Sequence, residues 1–93
     1  RTNYGETAFT IACHWGRKDV VQLLLVNSER IELNARTNFG WTAFMLACKY
    51  RRKDVVKLLL EYSEVVDINI PESFHLFEDI KNLIELHSIR EQN

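Results

Sequence analysis

A thiol and an imidazole stand side by side at Cys13-His14, a pairing that can act as nucleophile and base in an enzyme. The flanking pattern is helical, and adjacent helical residues do not face one another, so the pair cannot work together. Metal chemistry needs its ligands at set spacings such as Cys-x-x-Cys, His-x-x-x-His or His-Glu-x-x-His. None of these occurs, and His14, His75 and His87 are scattered. There is no glycine-rich loop to cradle a phosphate. Asp19 and Asp54 each open a helical stretch, where a carboxylate favours the helix dipole; they read as structural rather than as an acid/base pair. The expectation is a protein that is not an enzyme, with no catalytic residues, no metal site and no cofactor.

Two further groups of reactive or charged residues remain. Cys13 and Cys48 occupy matching positions next to an alanine. Small buried core thiols are one reading and a disulfide the other. Packed helices lie about 8–10 Å apart, whereas a disulfide wants its Cα atoms within about 7 Å. Geometry thus favours free thiols in a reducing compartment. The run Lys49-Tyr50-Arg51-Arg52-Lys53 carries four cations around a tyrosine. Such a run can bind nucleic acid, an acidic protein or a phosphorylated peptide, or can be a solvated turn. With 12 Lys+Arg against 13 Asp+Glu the net charge is -1, which disfavours nucleic acid as the partner.

The elements that position these residues follow from composition and periodicity. Ninety-three residues make one domain. Hydrophobic residues are 46% and charged residues 27%, an ordinary globular balance rather than a disordered one. No apolar run is long enough to cross a membrane, and no signal peptide is visible. Residues 1–35 and 36–70 align without a gap, with twenty identical pairs. Most other pairs are conservative, such as Tyr4/Phe39, Trp15/Tyr50 and Ile31/Val66. Each unit contains two helical patterns. Thr7 is a candidate N-cap for residues 8–15, which Gly16 stops. A longer helix is expected over about 18–27, with Val20, Val21, Leu23, Leu24 and Leu25 covering a wide face. The second unit repeats this with Thr42, residues 43–50 and about 53–62. Residues 34–40 are polar, end in glycine and suit a tight, hairpin-like turn. A two-helix unit cannot bury both faces alone, so the units must stack, each touching its neighbour.

On these residues the chain resembles the ankyrin repeat. The matching motifs are Gly5-Glu6-Thr7-Ala8-Phe9-Thr10, Ala12-Cys13, Gly16-Arg17, Val20-Val21-Gln22-Leu23-Leu24-Leu25 and Leu33-Asn34-Ala35. Their counterparts are Gly40-Trp41-Thr42-Ala43-Phe44-Met45, Ala47-Cys48, Arg51-Arg52, Val55-Val56-Lys57-Leu58-Leu59-Leu60 and Ile68-Asn69. The resemblance covers about 70 of the 93 residues and implies an all-α helical solenoid of ankyrin type. Its parts would be ankyrin-like repeat 1 (1–35), ankyrin-like repeat 2 (36–70) and a degenerate repeat or C-terminal capping helix (71–93), all one domain. The sequence departs from the family pattern at several points. Ala8 and Ala43 replace its proline. Thr10 and Met45 replace its histidine, weakening that residue's hydrogen-bond link between repeats. Arg51 replaces the glycine between the helices, at a cost of about 1 kcal/mol if that backbone has φ > 0. The period of 35 exceeds the family's ~33, with the extra residues near 28–31 and 63–66.

The tail is expected to be helical from Pro71, a residue suited to a first turn, with Phe74, Phe77, Ile80, Leu83, Ile84 and His87 along one face. At the other end, unit one keeps the apolar residues of unit two, with nothing upstream to cover them. Stable arrays need about three repeats or more. The sequence also opens on Arg1 rather than Met. It is therefore expected to be the C-terminal piece of a longer array, with further ankyrin repeats upstream, or to form a homo-oligomer through that face.

Ankyrin arrays bind proteins through their turn tips and the exposed side of their first helices, and the resemblance carries this concave surface onto particular residues. They are Asn3, Tyr4, Glu6, His14, Trp15, Asn38, Phe39, Trp41, Lys49 and Tyr50, five of them aromatic. Tyr, Trp and Arg are enriched among interface anchors. Trp41 stands where the twin unit has Glu6, a substitution that a core position would not accept. Tyr4, Phe39, Trp15 and Tyr50 can equally be packing along turns and over helix ends. Arg36 and the run 49–53, including Arg52, would add electrostatic steering. The expected function is protein–protein interaction with a protein partner, the alternative being assembly through the uncovered first repeat. The expected location is intracellular, the cytoplasm ahead of the nucleus, without membrane insertion.

Overall fold

The computed structural model describes residues 3–71 and 73–92; Arg1, Thr2, Glu72 and Asn93, and the side chains of Arg30 and residues 90–92, lie outside the described residues. Among the described residues five α-helices and one short 3₁₀ turn follow in order: α1 (Ala8–His14), α2 (Lys18–Val26), the 3₁₀ turn (Ser28–Arg30), α3 (Ala43–Lys49), α4 (Lys53–Glu61) and α5 (Glu78–Gln92).

The two short first helices start at threonine caps. Thr7 Oγ1 accepts from the Thr10 N–H at 3.2 Å. The Thr10 hydroxyl oxygen returns the favour, accepting from the Thr7 N–H at 2.8 Å. Both orphan donors of that helix end are thus satisfied reciprocally. This is where Thr10 spends its hydroxyl: locally, within repeat one. In α3, Thr42 caps Met45 in the same way at 3.2 Å, but Met45 has no group to return and is buried instead. Asp19 and Asp54 fall in the first turns of α2 and α4, as the dipole argument expects.

Each first helix joins its second helix by a turn with a left-handed residue. In repeat one it is Gly16, at φ 68. In repeat two it is Arg51, at φ 55, the sole positive-φ non-glycine among the described residues. The conditional backbone penalty expected at Arg51 therefore applies. The longer period is absorbed where expected, by the 3₁₀ turn Ser28–Arg30 in repeat one and by a turn after α4 in repeat two.

Stacking buries the core. α1 packs along α3 and α2 along α4. Phe9, Phe44, Val21, Leu25, Val55, Val56 and Leu59 are almost wholly buried. Helix α3 is the centre of the molecule: Ala43, Phe44, Met45, Leu46, Ala47 and Cys48 are all buried. A helix apolar all round belongs at the middle of a fold, and α3 packs against both α1 and α4. Cys13 and Cys48 are buried and free, and burial pushes each thiol up to about 12.

The tail departs from expectation. Its helix begins at Glu78, not near Pro71. Residues 73–77 are turn or extended, with the Phe74 N–H bonded to the Pro71 carbonyl at 2.9 Å. The reason lies in two anchors on different parts of repeat two. Phe74 meets the edge of Trp41, with centroids 5.0 Å apart, while Phe77 lies beneath the Arg51 guanidinium at 5.0 Å. The chain stays non-helical while it bridges these anchors. From Ile80 onward the expected face holds: Ile80 is fully buried, and Leu83 and Ile84 pack against the core. Asp79 binds Arg51 at 2.7 Å and Lys53 at 2.9 Å.

Candidate functional site

The turn tips and the first helices form one side of the molecule. Thr37 shapes the turn tip between the repeats. Its N–H donates to the Trp41 carbonyl at 2.9 Å, and its carbonyl accepts from the Gly40 N–H at 2.9 Å. Its hydroxyl accepts from the N–H groups of Phe39 and Trp41, both at 3.3 Å. With the backbone fixed in this way, Phe39 and Trp41 project from a closed turn. That turn is tied to its predecessor: the Asn38 N–H donates to the Tyr4 carbonyl at 2.8 Å, and the Asn38 amide to the Asn3 carbonyl at 2.8 Å. Gly5 permits this approach, since a Cβ there would meet Asn38 Oδ1 at 2.5 Å.

The two turns and the ends of α1 and α3 enclose an open groove of about 480 Å³, lined by Tyr4, Glu6, His14, Trp15, Thr37, Phe39, Trp41, Leu46, Lys49 and Tyr50. The aromatic rings are ordered in it. The His14 ring lies between Trp15, 4.9 Å away at 24°, and Tyr50, 4.1 Å away at 14°. Tyr4 and Phe39 stack at 6.1 Å along successive turn tips. Lys49 Nζ lies 4.7 Å over the Trp41 ring, a distance at which cation and ring attract. Four of these aromatics are strongly exposed: Phe39 71%, Trp15 61%, Tyr4 59% and Tyr50 40%. Stacking thus leaves more than half the surface of Phe39, Trp15 and Tyr4 exposed, and less than half of Tyr50's. A concave, mainly apolar patch with a few polar groups marks a binding surface more often than chance exposure does.

Of the ten residues placed on the concave surface, Asn3 and Asn38 tie the turns together instead, and eight line this groove: Tyr4, Glu6, His14, Trp15, Phe39, Trp41, Lys49 and Tyr50. Arg36 and Arg52 do not. Arg36 folds back on its own turn, donating to the Gly40 carbonyl at 3.3 Å. Arg52 points between the repeats, and its Nε donates to the His14 carbonyl at 2.9 Å. Its stem fills the space over Gly16, where a Cβ would come within 2.7 Å of Arg52 Cδ. The other cations of the basic run are also engaged inside the molecule. Arg51 and Lys53 hold Asp79, and Lys49 covers Trp41. The hydrogen bond from Arg51, then that from Lys53, hold the Asp79 carboxyl well below the usual carboxylate range. The run 49–53 thus works as an internal fastener rather than as a free steering patch.

Two lining residues were not foreseen. Leu46 forms part of the floor; it matches Ile11 and carries the helical spacing of a core residue, so no signal set it apart. Thr37 is a turn residue whose hydroxyl is consumed by the turn. The helical period of Phe74 gives no sign of the support it lends Trp41. Trp41 is therefore half-buried and serves two surfaces, the groove and the tail.

No helix among the described residues is long and apolar enough to cross a membrane. No curated protein and no solved structure gave a match to this chain. A family model of ankyrin repeats, built for three copies, matches residues 1–72. The stacking of α1 on α3 and of α2 on α4 agrees with that match. The chain belongs to the ankyrin-repeat family.

Proposed function

We propose that this protein is a non-enzymatic interaction module that grips an exposed segment of a partner protein in the aromatic groove. Ankyrin repeats generally mediate protein–protein interaction. The observation that carries the finer reading is the convergence of four exposed aromatics with Trp41, Glu6 and Lys49 on one concave surface spanning both repeats. Aromatic side chains offer large contact areas with few rotatable bonds, so ordering them on binding costs little. Here Trp15, His14 and Tyr50 are already stacked, which lowers that cost further. Glu6 and Lys49 place one charge of each sign in the groove and would orient the bound segment. Two buried, protonated thiols suit a reducing intracellular setting.

The test begins with peptides selected from a displayed random library against the full chain. Trp15→Ala and Tyr50→Ala are the informative variants, because both side chains are exposed and their rings meet only His14 among the described residues. Each is expected to weaken the selected peptides by about tenfold or more, as loss of an aromatic anchor does, with the circular dichroism spectrum unchanged. Peptides that bind both variants as tightly as the parent chain would refute the groove.

A further inference from the structure

The concave side of the molecule continues past Trp41. A second cavity, of about 340 Å³, opens between α3 and the segment that leads from repeat two into α5. Met45 lies at its base, and Pro71, Phe74 and His75 form its wall. Trp41 and Lys49 line both this cavity and the groove, and no other described residue does. They form the ridge between the two. Met45 and Leu46, neighbours on α3, serve the cavity and the groove respectively. Lys49 stands one helical turn beyond both, at the i+4 and i+3 positions that share a face with them.

On this ridge Lys49 keeps its charge. It is exposed, and its Nζ lies 4.7 Å over the Trp41 ring. A ring attracts a cation and fixes its place without cancelling its charge. Among the described residues no carboxylate pairs with it. The neighbouring cations differ: Arg51 and Lys53 share Asp79, and Arg52 is spent on the His14 carbonyl. Phe74 meets the Trp41 ring edge-on at 5.0 Å, so the cavity wall braces the ridge. The ridge is not a product of the fold alone. At the positions matching Trp41 and Lys49, repeat one carries Glu6 and His14.

Resting on the groove as the binding surface, we propose that the partner's segment is extended, crosses this ridge and carries a carboxylate side chain between two apolar ones. Its Asp or Glu pairs with Lys49 Nζ. One apolar neighbour enters the groove among the aromatic rings, and the other enters the cavity over Met45. An extended chain presents residues i, i+2 and i+4 on one face, the order that two cavities parted by a cationic ridge receive. A carboxylate fits this ridge better than a phosphate. Phosphate recognition favours the two-pronged guanidinium, and Arg51 and Arg52 are already engaged.

The test uses peptides selected from a displayed random library against the full chain. Peptides held in the groove, meaning those that Trp15→Ala or Tyr50→Ala weakens, should carry Asp or Glu with an apolar residue two positions away on each side. In one such peptide, exchanging the acid for its amide should weaken binding to the parent chain about fivefold, and to Lys49→Met less than twofold. Lys49 is exposed, so Lys49→Met should keep the parent's circular dichroism spectrum. Replacing one of the two flanking apolar residues with alanine should abolish the peptide-induced NMR shifts of the Met45, Ser73 and His75 amides, while those of Trp15 and Tyr50 persist. Groove-bound peptides without an acid, or an acid-to-amide loss as large in Lys49→Met as in the parent, overturn the carboxylate. Unmoved signals at Met45, Ser73 and His75 overturn the second cavity. A phosphoserine peptide that binds more than tenfold tighter than its glutamate version would make phosphate the occupant and overturn the proposal. In all of these cases the groove itself stands. A selection that yields no peptide sensitive to Trp15→Ala or Tyr50→Ala removes the groove, and the ridge with it.

Discussion

Replacing Gly16 with alanine tests how the repeats are joined. The substitution has two costs that can be separated. Gly16 sits at φ 68, and an L residue in the left-handed region loses about 1–2 kcal/mol. Arg51 already takes the equivalent backbone at φ 55, so the variant should still fold. The second cost is a collision. The new Cβ would lie 2.7 Å from Arg52 Cδ and 3.2 Å from its Nε, displacing the side chain that bonds the His14 carbonyl at 2.9 Å. A hydrogen bond from a charged donor contributes about 1.5–3 kcal/mol. Arg52 is half-buried, so solvent recovers part of this and about 1–1.5 kcal/mol remains. Gly40 is the control, with φ 79 and nothing within 4 Å of an added Cβ. Gly40→Ala should cost only the backbone share, about 1–2 kcal/mol, and Gly16→Ala about 2–3.5 kcal/mol. Urea unfolding followed by circular dichroism reads the difference, which should be roughly 1 M in midpoint at slopes near 1–2 kcal/mol/M. In an Arg52→Ala background the excess cost at Gly16 should vanish. Equal losses at the two glycines, or an excess that survives removal of Arg52, would refute the clasp.

Other perturbations follow from the same contacts. Cys13 and Cys48 should resist a thiol reagent at neutral pH, because burial keeps both protonated with pKa raised to about 12; labelling at the rate of global unfolding is expected, and rapid labelling of the native chain would contradict it. Asp79 titrates lower when folded than when unfolded, so its contribution to docking α5 is complete above its unfolded pKa of about 3.9 and is lost as pH falls through the lower folded value. Asp79→Asn should therefore destabilise the chain at pH 7 and leave a shallower loss of stability on acidification than in the parent. Trp41→Ala should loosen the tail as well as the groove, through its edge contact with Phe74; protease cutting near residues 73–77 that speeds up in this variant and not in Trp15→Ala would show it.

How much was legible in the sequence follows from what kind of interaction decided each feature. The helix pairs were readable because twenty identities in 35 positions repeat a cap, a period and a stop together. The groove was largely readable too, because turn tips and first helices share a side in any such stack. The tail was not. Phe74 and Phe77 fit a helical period, but Trp41 and Arg51 hold them in a non-helical segment, and no local pattern reveals those contacts. The same holds for Arg52. Its type suggests steering on the surface, while its place over Gly16 makes it a fastener, a fact that appears only when one repeat is set against the next.

If the aromatic groove is the binding surface, the chain carries its own reporters of binding. Its two tryptophans, Trp15 and Trp41, both line the groove. The most direct measurement is therefore a proton–nitrogen NMR titration of the full chain with a selected peptide, following the two indole N–H signals and the backbone amides. Both indoles should shift along with the amides of residues 37–41 and the end of α3. Unmoved indoles, with shifts gathered on α2 or α5, would place binding elsewhere and contradict the account.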